Sequence, residues 1–173
     1  MALLAIDLAS NKSGWALFEA GRCIDWGIIR PRGKSGRWVI VDRLGSFVCV
    51  GSKADVWHQL LDIADHVVVE RSYVGTRASA VIALSRIRGY VDAQAEACRV
   101  PVTDMTPGEW RRIAREIGLC EAWPAGRGSK KLLGIAIAHG IVDPLNQCPI
   151  GEDEADAICL GRAYLATVVE VAA

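Results

Sequence analysis

Two short apolar segments of this sequence each carry one carboxylate where a β-strand would bury it. Asp7 lies within residues 3–9, and Glu70 ends the run 67–70. A charged side chain inside an apolar strand is costly unless something cationic meets it. A fold that accommodates both acids must therefore bring positive charge to each of them.

A second pair of acids lies near the end of the chain. Asp153 and Asp156 are three residues apart at the start of a helical segment, so they share one face. With Asp7 and Glu70 they suggest a cage of oxygen ligands for Mg²⁺. Two such ions ~3.5–4 Å apart catalyse an in-line displacement at phosphorus, so the set predicts phosphate chemistry. Glu154 should point about 100° away from Asp153, and we interpret it as a helix-start charge.

Each acid taken alone also allows a structural interpretation. Asp7 could accept hydrogen bonds from a neighbouring turn, and Glu70 could pair with Arg71 or Arg77. The acids at positions 152–154 could simply favour the dipole at a helix start. The combination is more specific than any of its members.

The pattern of apolar and turn residues predicts one α/β domain over residues 1–173. Three strands should form an antiparallel meander, followed by alternating helices and strands in a five-stranded mixed sheet. Residues 39–50 fit either a helix or a strand. The predicted strands are 3–9, 13–18, 23–29, 67–70 and 101–105, and the predicted helices are 55–64, 75–98, one capped by Thr106, 129–139 ending at Gly140, and 152–169.

Composition limits the class of protein. The 173 residues are 51% apolar and 23% charged, which is typical of one soluble domain. No apolar run approaches the ~18 residues of a membrane span, and the start does not resemble a secretory signal. The six cysteines show no Cys-x-x-Cys spacing and no histidine at zinc spacing. We therefore expect reduced, packing cysteines and a cytoplasmic protein without membrane association.

Charge is balanced overall but unevenly distributed. The chain has 20 basic and 20 acidic residues, yet residues 71–131 contain eleven Lys or Arg and six Asp or Glu. A basic face on a neutral protein is compatible with DNA binding.

Five motifs, in order along nearly the whole chain, resemble the RuvC-type Holliday-junction resolvases of the RNase H-like nuclease superfamily. The last acidic motif, together with the Glu-x-x-Tyr motif, is the most specific part. The motifs are Asp7-x-x-Ser10 with Gly14, Val69-Glu70-x-x-Tyr73, Leu84-x-x-x-Arg88-Gly89, Thr106-Pro107-x-x-Trp110-Arg111 and Asp153-x-x-Asp156-Ala157. The small size and the divergent motif pattern of this chain are similar to those of phage-encoded members of the family.

This resemblance implies an RNase H-like fold and a homodimer formed through the helix around residues 84–91. It implies two Mg²⁺ (or Mn²⁺) ions per active site and symmetric nicking of four-way DNA junctions, leaving 5′-phosphate and 3′-hydroxyl ends in a bacterial or phage-infected cell. The implied catalytic and metal-binding residues are Asp7, Glu70, Asp153 and Asp156. The implied DNA contacts are Tyr73, Arg77, Arg111, Lys130 and Lys131, of which Tyr73 would stack on a base at the junction.

The chain also departs from that family. Ala9 and Ser10 stand where a glycine is usual, and the loop between Arg111 and Lys130 is longer. Tyr73 could instead cover the sheet edge, and Arg111 and Lys130 could be solvated helix charges. Three other functions stay open: a nuclease for RNA–DNA hybrids or flaps, an ATP-binding protein of the actin and sugar-kinase class, and a junction-binding protein without catalysis.

Overall fold

The computed structural model shows a single mixed β-sheet with helices on both faces. The structure describes residues 1–9, 11–33, 36–71, 78–124, 127–142 and 149–171. These residues form seven strands: β1 Ala2–Asp7, β2 Ser13–Glu19, β3 Arg22–Pro31, β4 Trp38–Asp42, β5 Phe47–Gly51, β6 His66–Glu70 and β7 Val102–Met105.

The strand order across the sheet is β5-β4-β3-β2-β1-β6-β7. The first five strands are joined by antiparallel pairing, whereas β6 pairs in parallel with both β1 and β7. The antiparallel meander, its parallel continuation and the α/β class are therefore as predicted. The carboxyl ends of β1 and β6 meet at the same edge of the sheet.

The predicted strand number was too low, because residues 38–51 add a β-hairpin to the sheet. The segment is apolar throughout its strands, so its sequence period did not separate strand from helix. Its turn is well defined: the Asp42 carboxylate accepts hydrogen bonds from the Leu44 and Ser46 amides, each at 2.9 Å. Gly45 supplies a φ of 78° in this turn, a conformation that glycine adopts without strain.

The described residues also form five helices, none with the combined length and apolar character needed to cross a membrane. Ser52 and Thr106 begin the first and third helices with complete capping boxes, which confirms the Thr106 cap. The fourth helix continues past Gly140, so the predicted end there was wrong. The helices are α1 Lys53–Leu61, α2 Ala78–Cys98, α3 Pro107–Glu116, α4 Arg127–Ile141 and α5 Glu152–Val171.

The two faces of the sheet bury separate apolar cores. Leu3 and Ala5 of β1 belong to the core covered by α3, α4 and α5, while Leu4 and Ile6 belong to the core beneath α1 and α2. Successive strand residues point to opposite faces, so Asp7 continues the row of Leu3 and Ala5. The sheet therefore presents Asp7 to the helix α5.

Close packing of α5 on the sheet depends on Gly161. A Cβ atom at this position would lie 2.2 Å from the Phe18 ring and 2.9 Å from the Ala5 Cβ atom. Both partners are fully buried, so neither has room to move aside. The absence of a side chain at Gly161 thus sets the height of α5 above the central strands.

Candidate active site

Asp7 and Glu70 lie side by side at the ends of two adjacent parallel strands. Ile6 of β1 pairs with Val69 of β6, and each acid follows the paired residue in its own strand. Val68 belongs to the core beneath α5, so the two-residue period of a strand turns Glu70 to that same face. Register and alternation together place both carboxylates under the start of α5.

The start of α5 approaches these strands at Gly14. A Cβ atom on Gly14 would lie 1.9 Å from the backbone carbonyl oxygen of Asp153, a distance that no side chain could tolerate. Gly14 is also the register partner of Asp7 in the pair formed by β1 and β2. One glycine thus allows the Asp153–Asp156 turn of α5 to lie directly over Asp7.

A cavity of about 400 Å³ opens at this junction. Its lining is almost entirely charged, with acids from β1 and α5 facing bases from α3 and α4. The lining residues are Asp7, Arg111, Lys130, Lys131, Glu152, Asp153 and Asp156. Such a mixture of oxygen ligands and cations suits a phosphate group accompanied by a metal ion.

Burial and crowding of like charges raise the pKa of the central carboxyls. The pKa of Asp7 is raised well above its usual value by burial first, and then by Glu70, Asp156 and Asp153. Burial is also the main reason that the pKa of Asp156 is raised, with Arg111 acting in the opposite direction. The cluster therefore carries less negative charge by itself than it would carry beside an added cation.

Glu70 joins the cluster from the side of the sheet. Burial raises its pKa, while a hydrogen bond from the Trp110 indole nitrogen to its Oε2 atom, at 2.7 Å, lowers it. Trp110 itself is fully buried. This hydrogen bond holds one Glu70 oxygen in place and gives the buried Trp110 indole N–H a partner.

Arg111 provides the positive charge closest to the buried acids. Its guanidinium lies 4.7 Å from the centre of the Trp110 ring and 5.6 Å from that of Trp123. Its Nε atom is buried and has no hydrogen-bond partner among the described residues. Arg111 lowers the pKa of Asp7, Glu70 and Asp156, so it compensates part of their charge without being paired to any one of them.

Two lysines bind the outer acids, and one of them was not predicted from the sequence. The Lys12 ammonium lies 2.7 Å from Asp153 Oδ2, and Lys131 pairs with Glu152. Lys12 belongs to the turn between β1 and β2, only five residues after Asp7. A lysine that close in sequence to a predicted metal ligand was the available signal.

The four acids offer the donor set that Mg²⁺ or Mn²⁺ prefers, because all of their ligand atoms are carboxylate oxygens. The raised pKa values of Asp7, Glu70 and Asp156 also favour binding of a divalent cation, because the cation would offset the cost of ionising these carboxyls. The residues therefore fit the metal that the sequence suggested.

The remaining predicted site residues divide into two groups. Arg111, Lys130 and Lys131 line the cavity beside the acids. Tyr73 and Arg77 lie outside the described residues.

Glu154 does not line the cavity that holds Asp153 and Asp156. It lines a separate cavity of about 600 Å³ together with Trp26 and Arg43. Its Oε2 atom is buried there and has no hydrogen-bond partner within the described ranges.

Comparison with solved structures finds the same fold in RuvC of Thermus thermophilus. The structure of T. thermophilus RuvC in complex with a Holliday junction substrate superimposes with a TM-score of 0.65 at 13% sequence identity, covering 98% of this chain and 96% of that one. A second Thermus thermophilus RuvC structure gives a TM-score of 0.58 at 16% identity, covering 99% and 97%. Comparison of the sequence with protein-family models and with curated proteins finds no match. The chain thus has the RNase H-like fold of RuvC, as its motifs predicted.

Proposed function

We propose that this protein is a metal-dependent endonuclease that nicks branched DNA, with the four-way junction as its substrate. The observation that carries the proposal is the convergence of acids from distant segments beside one charged cavity. Asp7, Asp153 and Asp156 line that cavity, and Glu70 lies close enough to raise the pKa of Asp7. The fold that holds them matches RuvC over 98% of this chain.

Asp7, Glu70, Asp153 and Asp156 would hold Mg²⁺, or Mn²⁺ in its place. When bound, a pair of such ions stabilises the charge that develops on a phosphodiester during hydrolysis. The basic residues of the cavity have a complementary part: Lys130 and Lys131 would attract the DNA backbone. Arg111 would keep the buried acids ionised and ready for the metal by lowering their pKa.

The substrate and the assembly are proposed by analogy with the structural neighbour, which is described with a Holliday junction. Residues 1–173 would act as one nuclease domain, and two copies would cut opposing strands about a two-fold axis. The helix α2 offers exposed apolar side chains for such pairing: Ile82 is 53% exposed and Tyr90 is 44% exposed. Tyr73 and Arg77 stay predicted DNA contacts.

The test is incubation of a labelled four-way junction with the protein and Mg²⁺, followed by mapping of the nicks. The wild type should release symmetric nicks with 5′-phosphate ends. Asp7→Asn should bind the junction but lower the nicking rate by at least ~10²–10³-fold, the usual loss when one electrostatic group of an active site is removed. Wild-type cleavage by Asp7→Asn in Mg²⁺ would disprove the proposal.

Glu116→Gln is the matched control, because Glu116 is an exposed acid paired with Arg112 on α3. It should nick at the wild-type rate. An RNA–DNA hybrid duplex supplied in parallel tests the alternative substrate. Faster cleavage of the hybrid by a monomeric protein would favour a nuclease of that second kind.

A further inference from the structure

Three side chains from two helices meet at one point on the protein surface, in a group that no sequence motif predicts. His58, Asp62 and Cys98 each place a ligand atom within 4.8 Å of the other two. His58 and Asp62 are exposed and Cys98 is partly exposed, so an ion has direct access from solvent.

The cluster forms where two helices end side by side. His58 lies in the last turn of α1, and Asp62 caps that helix. Cys98 is the last residue of α2, which packs against α1. Arg99 follows in a left-handed conformation, with φ of 57°, and ends α2 at a defined place. Two helix ends thus hold the three ligands, although Cys98 is 40 residues from His58.

The spacing of the Cys98 and His58 ligand atoms matches that of a zinc site. The Cys98 sulfur lies 3.4 Å from the His58 Nδ1 atom. Two ligands bound tetrahedrally at the usual Zn–S and Zn–N lengths, ~2.3 and ~2.0–2.1 Å, lie about 3.5 Å apart. An ion could therefore enter between the two side chains with almost no movement of either helix.

The electrostatic setting also favours a cation. The carboxyl end of a helix carries partial negative charge, and the ends of both α1 and α2 lie at the cluster. Asp62 adds a full negative charge. A mixed set of nitrogen, oxygen and sulfur ligands prefers Zn²⁺, whereas the oxygen ligands of the active site prefer Mg²⁺.

We propose that His58, Asp62 and Cys98 form a binding site for a borderline-soft divalent cation, with Zn²⁺ as the best fit and water as the fourth ligand. The ion joins the ends of α1 and α2 and so stabilises the sheet face opposite the active site. This second metal site is independent of the proposed nuclease activity, since it shares no residue with the carboxylate cavity.

The Cys98 thiol is protonated in the metal-free protein and must lose its proton to bind a cation. Desolvation first, and then the Asp62 carboxylate, raise the pKa of Cys98. A nucleophilic cysteine needs a lowered thiol pKa instead. A bound cation would take the thiolate form, so loading of the site should release a proton.

The test is titration of the metal-free protein with Co²⁺ in a non-thiol reductant. Co²⁺ reports a thiolate ligand by a charge-transfer band and tetrahedral coordination by its visible bands. The wild type should bind one Co²⁺ with both features, and Zn²⁺ should displace it. Zn²⁺ should also raise the melting temperature, because it binds the folded state.

Three variants assign the signal to its ligands. Cys98→Ser should abolish the charge-transfer band. His58→Gln and Asp62→Asn, both at exposed positions, should each weaken Zn²⁺ binding by about tenfold or more, because even the loss of a residue that only orients a ligand costs about 10–100-fold. Cys120→Ser is the matched control, as Cys120 is another free, partly exposed cysteine, and it should leave the band unchanged.

Absence of a thiolate–cobalt band in the wild type would overturn the proposal. So would a band that survives Cys98→Ser, or that disappears in Cys120→Ser. The Asp7→Asn variant distinguishes the zinc-site proposal from the nuclease proposal, because it should lose nicking activity and keep the cobalt band. Loss of the band in Asp7→Asn would show that the two sites are not independent.

Discussion

The carboxylate cavity and the His58–Asp62–Cys98 cluster are two candidate cation sites in contrasting surroundings. The cavity lies between the sheet and α5, where burial raises the pKa of acids such as Asp7. The cluster lies at the surface, where two helix ends present three different ligand atoms. In the cavity the charges are crowded before any ion arrives, whereas the surface ligands are solvated.

This difference predicts different consequences of metal binding. In the cavity, a cation offsets a desolvation cost that the folded chain already bears, so the metal and the fold are coupled through electrostatics. At the surface, a cation would add new bonds between two helices and displace water and the Cys98 proton. Each prediction below changes one region and uses the other as an internal reference.

The largest expected effect follows from Gly14→Ala. The added methyl group would collide with the Asp153 carbonyl oxygen and push the start of α5 away from Asp7. We expect at least about tenfold weaker Mn²⁺ binding, loss of nicking and a stability cost of ~1–3 kcal/mol from overpacking. Calorimetric Mn²⁺ titration measures the first effect, and the cobalt band at Cys98 verifies that the chain is folded.

Gly140→Ala is the control for that substitution, because a Cβ atom on Gly140 would have no neighbour within 4 Å. Alanine in a helix is also favoured over glycine by ~0.8–1.0 kcal/mol, so this variant should be at least as stable as the wild type. Wild-type Mn²⁺ affinity in Gly14→Ala would show that the close approach of α5 is not needed for the metal site.

The second prediction concerns stability in a chelator. The folded pKa of Asp7 is raised mainly by burial, so between its unfolded value of ~3.9 and its folded value the native state binds more protons than the unfolded state. Stability should therefore fall as pH rises through that window. Asp7→Asn removes this penalty and should raise the melting temperature at pH 8, by about 2–4 °C for each kcal/mol relieved.

Thermal unfolding with and without chelator at several pH values measures this effect. The gain in Asp7→Asn should shrink as the pH falls toward ~4 and vanish below it, where the wild-type carboxyl is protonated in the unfolded state as well. Asp62→Asn, at an exposed position, should show no such gain. A melting temperature for Asp7→Asn below that of the wild type at pH 8 in chelator would contradict the electrostatic account.

The smallest expected effect follows from Lys12→Met. The wild-type Lys12 ammonium lies 2.7 Å from Asp153 Oδ2 and must move away from it when a metal binds. Both partners are partly exposed, so such an ion pair is worth ~0.2–1 kcal/mol, and its removal should tighten Mn²⁺ binding by about 1.5- to 5-fold. Lys53→Met, far from the cavity, should leave the Mn²⁺ affinity unchanged. Weaker Mn²⁺ binding in Lys12→Met would mean that Lys12 assists the metal.

Much of the fold could be predicted from local patterns. The meander, the strand that ends at Glu70, the Thr106 cap and the helix after residue 151 all follow from turn residues, apolar periods and capping motifs. The hairpin at residues 38–51 could not be assigned, because a uniformly apolar segment has no period that separates strand from helix. In the folded protein its turn is closed by Asp42, and the hairpin extends the sheet from the edge of β3.

The two candidate metal-binding regions differ in how far the sequence predicts them. Asp7 and Glu70 stood out because a carboxylate in an apolar strand demands an explanation, and their catalytic role stays a prediction. His58 and Cys98 carried no such signal: each is an ordinary residue on a helix, 40 positions from the other.

The sequence by itself determined most of the strands and helices and which acids are out of place, because these depend on neighbours a few positions away. The tertiary structure alone decided that Gly14 lies beneath Asp153 and that α1 and α2 end together at His58 and Cys98. The physical reason is that strand register and helix packing result from burial of the whole core, and no local pattern encodes a distance between segments so far apart.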